Sequence, residues 1–354
     1  MAFRKSILNS VPVEILREIA SAVEASNDKA ALCRVSRLLN LVGVPILYRH
    51  VLLGSVEPTL KFFHTLAKNP KRHDYVRSLR IVIQHYHGDY VPTDIIFPLE
   101  EGLRTLRNLE NLYLRIPNFN DKYLVIFATL VLPNLRTFST YHTGTYSPLL
   151  FSFLNRHKEL THLDLIRPWS NASGAGTAPT GLPLLHLPRL RSYRGCSVYA
   201  ALLVVSHRGL MRADIWDAPP ATDLDALLSA LGDATSPPIP FSLTFLWDGP
   251  QTALFAPLAK HIPHTRVLTT GPFMGPHRAL NPNAVQDICE ALDAFVSLSA
   301  FNFDNVEAGG SPRHSIPGDV AALAAWSTRC PTLLTSRLHG RNWSRHSGKW
   351  VQVD

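Results

Sequence analysis

Cysteine is scarce in this chain. Four occur in 354 residues, at positions 33, 196, 289 and 330, and none forms a Cys-x-x-Cys pair. That spacing argues against a zinc site or a disulfide scaffold and fits a reducing compartment. Charged residues are also few, at 18%, against 46% hydrophobic, which excludes wholesale disorder. A long hydrophobic run is missing as well. The best one, Tyr123 to Leu132, stops at Pro133, well short of the roughly 20 apolar residues that a membrane helix needs. The basic start, Met1 to Ser6, leads into Asn9, Pro12 and Glu14 rather than an apolar stretch, so no secretory leader is expected. The glycosylation triplets Asn171-Ala172-Ser173 and Asn342-Trp343-Ser344 would then stay unmodified, and the expected location is the cytoplasm, the nucleus or both.

Recognisable catalytic and cofactor motifs are missing too. The sixteen histidines cluster only as His85-Tyr86-His87, His157 with His162, and His261 with His264, without the Glu or Cys partners that a tetrahedral zinc site uses. Gly174-Ala175-Gly176 lacks a third glycine and a following helix, so it cannot place a pyrophosphate. No phosphate-binding loop and no Gly-x-Ser-x-Gly elbow occurs. The neighbouring carboxylates Glu100-Glu101 and Asp223/Asp225 read as solvated helix starts. The basic run Lys68-Asn69-Pro70-Lys71-Arg72-His73 reads as a loop beside a turn, without the aromatic platform of a nucleic-acid site. The expectation is a non-enzyme with no cofactor, no metal, no nucleic-acid partner and no membrane partner.

What is present falls into two patterns. The first fifty residues read as short helices: Ser10 as a cap before Pro12 and Glu14, an apolar face of Val11, Ile15, Leu16 and Ile19, and a turn and cap at Ser26-Asn27-Asp28. A second amphipathic stretch runs from Ala30 to Leu39 and ends at Gly43 and Pro45. So small a segment cannot bury Leu8, Val11, Ile15, Leu16, Ile19, Leu32, Val35 and Leu39 against one another, and an exposed apolar face implies a protein partner.

Beyond it, the pattern L-x-x-Φ-x-Φ (Φ apolar) recurs, most clearly from Leu109, Leu160 and Leu298. Weaker copies begin at Leu79, Leu135, Leu190, Leu210 and Leu333, with degraded ones near Leu243 and Thr265. The mean pitch of about 28 residues is near that of leucine-rich repeats. Several copies follow a Leu-Pro-x turn, helical stretches lie between them, and the asparagine that regular repeats carry after the strand is mostly absent. This alternation predicts an α/β solenoid with a parallel sheet and helices outside it. An ordinary α/β domain is the alternative. The Gly/Ala/Ser/Pro-rich stretches Trp169–Pro183 and Gly309–Gly318 fall outside the repeat, and the basic tail after Gly340 either caps the last unit or is disordered.

The N-terminal pattern resembles an F-box: Leu8-x-x-Val11-Pro12-x-Glu14-Ile15-Leu16-x-x-Ile19, then Leu32-Cys33-x-Val35-Ser36-Arg37-x-Leu39-Asn40, and an exit Pro45-Ile46-Leu47-Tyr48-Arg49-His50-Val51 similar to that of F-box proteins of mushroom-type fungi. Val11 stands where the family usually has leucine. The resemblance covers residues 8–53, and the rest resembles the family only in architecture. It implies a helical F-box domain over 1–53, a degenerate leucine-rich-repeat solenoid over 54–340 and a polar tail over 341–354. It further implies that the chain is the substrate-recognition subunit of an SCF (cullin–RING) ubiquitin ligase. Leu8, Val11, Pro12, Ile15, Leu16, Ile19, Leu32, Val35, Arg37 and Leu39 would form the part that docks on the Skp adaptor, as contacts or as F-box core. Which of them face outward stays open. Tyr113, Arg115, Asp164 and Asn302, lying between apolar strand residues, are candidate contacts for a protein substrate.

The charge distribution agrees with this division. Residues 1–83 hold 13 Lys+Arg and 6 Asp+Glu, whereas the rest is nearly balanced, so +7 of the formal charge of +8 sits at the end that would meet the adaptor. The resemblance implies an acidic adaptor, which such an end would attract. The other reading is a leucine-rich-repeat scaffold outside any ligase, whose N-terminal helices only cap the solenoid.

Overall fold

The computed structural model describes residues 11–83, 95–116, 124–141, 147–166, 183–205, 209–216, 221–235, 239–246, 251–271, 282–303 and 316–353. Leu8, Ser10, His85 and His87 lie outside them, as do Gly174–Gly176 and most of the two Gly-rich stretches. The chain divides into two compact units, 1–157 and 158–354, so the division falls at 157/158 while the resemblance draws one at 53/54.

The first unit opens with three helices, α1 (Val13–Ala22), α2 (Ser26–Val35) and α3 (Arg37–Arg49). Leu16, Leu39 and Val42 form their core, with Val11, Val13, Leu32, Leu38 and Ile46 packed against it. Ser36 makes the α2–α3 corner: its hydroxyl accepts from Leu39 N at 3.1 Å and caps α3. Asn40 Nδ2 donates to Cys33 O at 3.1 Å, tying α3 to the end of α2. The helices approach so closely that a Cβ on Gly43 would come within 2.6 Å of Cys33 Sγ.

Two local expectations are corrected here. Ser26 is the first residue of α2, with Ala25 at the capping position. Helix α3 does not stop at Gly43 and Pro45 but continues through Pro45 to Arg49. Proline removes the donor that would have bonded the carbonyl of Leu41. Leu41 is exposed, so water can satisfy that carbonyl and the helix survives.

From His50 the chain alternates strand and helix. In the first unit these are β1 (His50–Leu53), α4 (Val56–Lys68), β2 (Ser78–Val82), α5 (Ile96–Thr105), β3 (Asn111–Arg115), a helical turn (Ile126–Thr129), β4 (Thr137–Tyr141) and the helix Pro148–Arg156. Strands β1 to β4 pair in parallel and in sequence order. The second unit carries β5 (His162–Ile166), β6 (Leu185–His186), β7 (Ser192–Gly195), β8 (Leu203–Val204), β9 (Arg212–Ile215), β10 (Phe241–Leu246), β11 (Thr265–Gly271), β12 (Ala300–Phe303) and β13 (Thr335–Leu338). Here β5, β7, β9, β10, β11, β12 and β13 are successive parallel neighbours, while β6 and β8 form a separate small pair. Helices Ala221–Ala234, Gln251–His261, Pro282–Leu292 and Ile316–Arg329 fall between the later strands. Each unit is thus a solenoid-like α/β repeat. The segment after Gly340 forms an antiparallel hairpin, β14 (Arg341–His346) and β15 (Lys349–Val353), on the edge of β13.

The pattern L-x-x-Φ-x-Φ has a simple origin. Its last two apolar residues are the inward positions of the strand, as in Leu112/Leu114, Leu163/Leu165 and Phe301/Phe303, all buried. Its first leucine closes a four-residue turn before the strand. Leu135 N donates to Leu132 O, Leu190 N to Leu187 O, Thr265 N to Ile262 O and Leu333 N to Cys330 O, at 3.0–3.1 Å. Each of these turns has proline in its second position (Pro133, Pro188, Pro263, Pro331), where its fixed φ fits. Thr265 replaces leucine because its hydroxyl donates to Ile262 O at 2.8 Å, leaving no buried polar group unmet.

Strand register also corrects two anchors. Leu79 pairs with Leu112, and Leu243 with Ala213, so both are strand residues; before β2 the turn is closed by Val76, whose N–H donates to His73 O. Val51 pairs with Leu79, so the repeat reaches back into β1. Asparagines do join neighbouring repeats, but in the turn before the strand: Asn108 Nδ2 donates to Asp74 O and Asn134 Nδ2 to Arg107 O.

Between sheet and helices the core is aromatic in places. Phe127, Phe138 and Phe153 pack with ring centroids 4.6–5.5 Å apart, and the His157 ring lies 4.1 Å from that of Phe153. His157 is buried as the neutral imidazole: Nδ1–H donates to Phe153 O at 2.7 Å, and Nε2 accepts from Leu132 N at 2.9 Å. Burial pulls its pKa below the ordinary value, against the pull of the Phe153 carbonyl, and Arg156 adds to the lowering.

Two outcomes follow for stability. Ser36→Ala removes the α3 cap and is expected to cost about 1 kcal/mol in chemical denaturation. Because His157 stays neutral in the folded chain, its contribution is complete above the unfolded pKa of about 6.5 and is lost as pH falls below it, at up to about 1.4 kcal/mol per unit. His264, also lowered by burial, adds to the same slope. Thermal unfolding followed by circular dichroism at pH 7, 6 and 5 should therefore show Tm falling with pH, and His157→Gln should lower Tm at pH 7 while flattening the slope.

Candidate docking surface

Helix α1 begins at Val13, with Pro12 in the capping position, where its ring fixes φ at −55° and no side chain caps the helix. Its apolar residues then divide between two sides. Leu16 and Ala20, four apart, are buried. Ile15 and Ile19, also four apart, are 45% and 48% exposed and line a second side. Val35, at the end of α2, is 64% exposed, and Leu41 on α3 is 71% exposed. Arg37 lies one turn before Leu41 on the same side of α3 and is exposed.

The sequence-derived docking residues therefore separate by role. Leu16 and Leu39 are core, and Val11 and Leu32 are partly buried against it. Pro12, Ile15, Ile19, Val35 and Arg37 are at the surface, where a partner can touch them. Leu41 is an exposed apolar residue that the sequence reading passed over. Its sign was there to read: the 3.6-residue period that puts Leu38, Leu39 and Val42 inside puts Leu41 outside.

The helices are joined firmly to the repeats. Helix α3 ends at Arg49 and β1 starts at His50. Arg72, in the 3-10 turn Pro70–Tyr75, donates from Nη1 to the Tyr48 hydroxyl at 2.7 Å and lies over the same ring at 5.1 Å. The Tyr48 ring stacks on Phe62 of α4, with centroids 6.3 Å apart. The basic run at 68–73 thus contributes a structural arginine.

The candidate ligand-facing residues lie on the outward positions of the two sheets. In the first unit, Leu52, Arg80, Tyr113 and Ser139 share one cross-strand row, and Val82, Arg115 and Tyr141 the next. In the second unit, Asp164, Arg194, Asp214, Thr244, Thr269, Asn302 and Arg337 share a row. Tyr113 and Arg115 thus belong to one face, and Asp164 and Asn302 to another. Asn302 Nδ2 donates to Thr269 Oγ1 at 3.2 Å, and Arg212 holds the buried Asp214 at 2.8 Å.

The other side chains considered for chemistry have ordinary surroundings. Glu100 pairs with Arg104, and Asp225 with Lys260 and His261, whose hydrogen bonds hold the Asp225 carboxyl below its usual range. His264 Nε2 is 2.8 Å from the Thr235 hydroxyl. All four cysteines are free and buried, and burial pushes the thiols of Cys33 and Cys289 up, away from nucleophilic thiolate. Among the described residues, no group of three His, Cys, Asp or Glu side chains could hold a metal ion, and no helix is long and apolar enough to cross a membrane.

No family model and no curated protein matches this chain. Among solved structures, the complex of Rad7 and Elc1 in yeast aligns over 85% of this chain and 89% of the other, at 13% identity and a TM-score of 0.33. At that score and identity the likeness fixes neither fold nor function.

Proposed function

We propose that this chain is the substrate-recognition subunit of an SCF-type (cullin–RING) ubiquitin ligase, working in the cytoplasm or nucleus. It docks on a Skp adaptor through α1–α3 and holds a protein substrate on its repeats. The observation that carries this reading is the division of α1: Leu16 and Ala20 complete a core, while Ile15 and Ile19 remain exposed with Val35 and Leu41. Isoleucine, valine and leucine left in water gain by association, on the order of 25 cal/mol per Å² of apolar surface covered. Leu8 and Val11 belong to the same docking segment in this reading, and Arg37 supplies a polar rim beside Leu41. The excess of basic residues before residue 83 favours an acidic adaptor by steering.

No bond is made or broken by this chain in such an assembly. It raises the effective concentration of a substrate beside the ubiquitin-charged enzyme, a contribution that can reach several kcal/mol. One observation favours the second reading, in which the helices merely cap a scaffold. Helices α1–α3 lie in the same compact unit as the first repeats, and α3 runs into β1 without a linker.

Pull-down with a purified Skp adaptor separates the two. Ile15→Asp with Ile19→Asp should reduce capture at least tenfold while leaving Tm within a few degrees of wild type. Leu16→Ala is expected to act instead on stability, by about 2–5 kcal/mol, because it opens a cavity in the helical core. Failure of the wild-type chain to bind, or capture unchanged by the Ile15/Ile19 pair, leaves the capping scaffold as the function of this segment.

A further inference from the structure

Among the described residues, the outward positions of β1–β4 carry arginines and no carboxylate. Its described positions are His50 and Leu52 on β1, Ser78, Arg80 and Val82 on β2, Asn111, Tyr113 and Arg115 on β3, and Thr137, Ser139 and Tyr141 on β4. None is Asp or Glu. Glu110, just before β3, lies 3.7 Å from Arg77. Arg80 and Arg115 are exposed, and each guanidinium rests on a neighbouring tyrosine: Arg80 over Tyr113 at 4.6 Å and Arg115 over Tyr141 at 5.2 Å.

Stacking of this kind does two things. It holds a long side chain in one place, so less freedom remains to be lost on binding. It also uses only the flat side of the guanidinium, leaving its in-plane N–H donors for a carboxylate or phosphate. The two arginines are diagonal neighbours, since Arg80 pairs with Tyr113 and Arg115 is two residues further along β3. Such positions are about 7–8 Å apart. An extended peptide places alternate side chains on one side at about 6.6–6.8 Å. Leu52, opposite Arg80 and 68% exposed, adds an apolar neighbour.

The second unit differs. There Arg194 stacks on Trp216 at 3.9 Å, but its row neighbours are Asp164 and Asp214, and Arg212 is paired with Asp214. Of the two units' described outward rows, the first unit's hold Arg80 and Arg115 with no carboxylate, whereas the second unit's includes Asp164 and Asp214.

We propose that the β1–β4 face binds an extended, anionic segment of a protein ligand, with Arg80 and Arg115 each taking one of two acidic groups spaced two residues apart and Leu52 taking an apolar residue beside them. The inference rests on the reading that the repeats hold a protein. It names the chemistry of that ligand as carboxylate or phosphate carried on a peptide. Nucleic acid is disfavoured because the tyrosine rings that could stack bases are covered by the arginines themselves.

The test uses the full chain and fluorescein-labelled peptides containing Glu-Leu-Glu, phosphoserine-Leu-phosphoserine or Gln-Leu-Gln, measured by fluorescence polarisation. The expected result is saturable binding of at least one anionic peptide, at least tenfold tighter than the Gln peptide and weakened as salt rises from 50 to 300 mM. The tighter of the two anionic peptides identifies the natural anion. R80E/R115E should weaken binding at least tenfold, while the charge-matched control K260E/R329E, on helices of the second unit, should stay within twofold. Equal binding of the Gln peptide, no binding of either anionic peptide, or an unchanged R80E/R115E overturns the proposal. So does a single-stranded 12-nucleotide DNA that binds more tightly and depends on the same two arginines. Adaptor pull-down on the same preparations keeps the two readings apart. Adaptor capture without peptide binding defeats only the anionic-ligand proposal, and peptide binding without adaptor capture defeats only the ligase reading.

Discussion

The repeat portion depends on the carbonyl of the residue just before a strand, which at five junctions accepts two bonds from the next repeat. Arg77 O accepts from both Glu110 N and Asn111 N, and Glu110 O in turn accepts from Arg136 N and Thr137 N. The same forked bond joins Thr161 O to Arg191 N and Ser192 N, Arg191 O to Met211 N and Arg212 N, and Ser299 O to Leu334 N and Thr335 N, at 2.8–3.1 Å throughout. One acceptor with two lone pairs thereby satisfies two donors of the next repeat. It fixes where the next strand begins, and the parallel register follows. The apolar alternation then falls on the inner side of the sheet automatically, because a slip of one residue would turn every leucine outward.

This mechanism tolerates poor sequence repeats. The backbone bond asks nothing of the side chain, so spacing between strands can vary provided that the turn and the two inward residues are kept. That is why the repeats were legible from Leu109, Leu160 and Leu298 but misplaced at Leu79 and Leu243. A search for leucines finds the most hydrophobic residue, and at those two repeats the position three before the first inward residue holds Val76 and Pro240 instead. Pro263 and Pro331 carried the missing signal, since they stand at the same turn position as Pro133 and Pro188. Regular repeats carry their asparagine after the strand, whereas Asn108 and Asn134 act before it.

The helical segment was legible to a different depth. Composition alone indicated that its apolar residues exceeded what it could bury. Which residues would stay outside depended on the crossing of α1 against α3, a tertiary fact. Ile15 and Leu16 are adjacent and chemically alike, yet one is exposed and the other is core. Pro45 misled for a local reason: it usually ends a helix, but here the carbonyl it orphans belongs to an exposed turn. Outward strand residues such as Tyr113 and Arg115 were identifiable from alternation, but their partners were not, because Arg80 and Tyr141 come from neighbouring repeats 33 and 26 positions away.

The direct passage from Arg49 to His50 has a mechanical meaning. With no spacer between α3 and β1, and with Tyr48 clamped by Arg72 and Phe62, the last helical turn and the first strand behave as one strut. Whatever grips α1–α3 also sets the compass bearing of the first sheet. A molecule held on that sheet would be presented at a fixed angle and reach, like a tool in a rigid handle rather than on a tether. The angle of presentation, and not only affinity, would then be set at the join of Arg49 and His50.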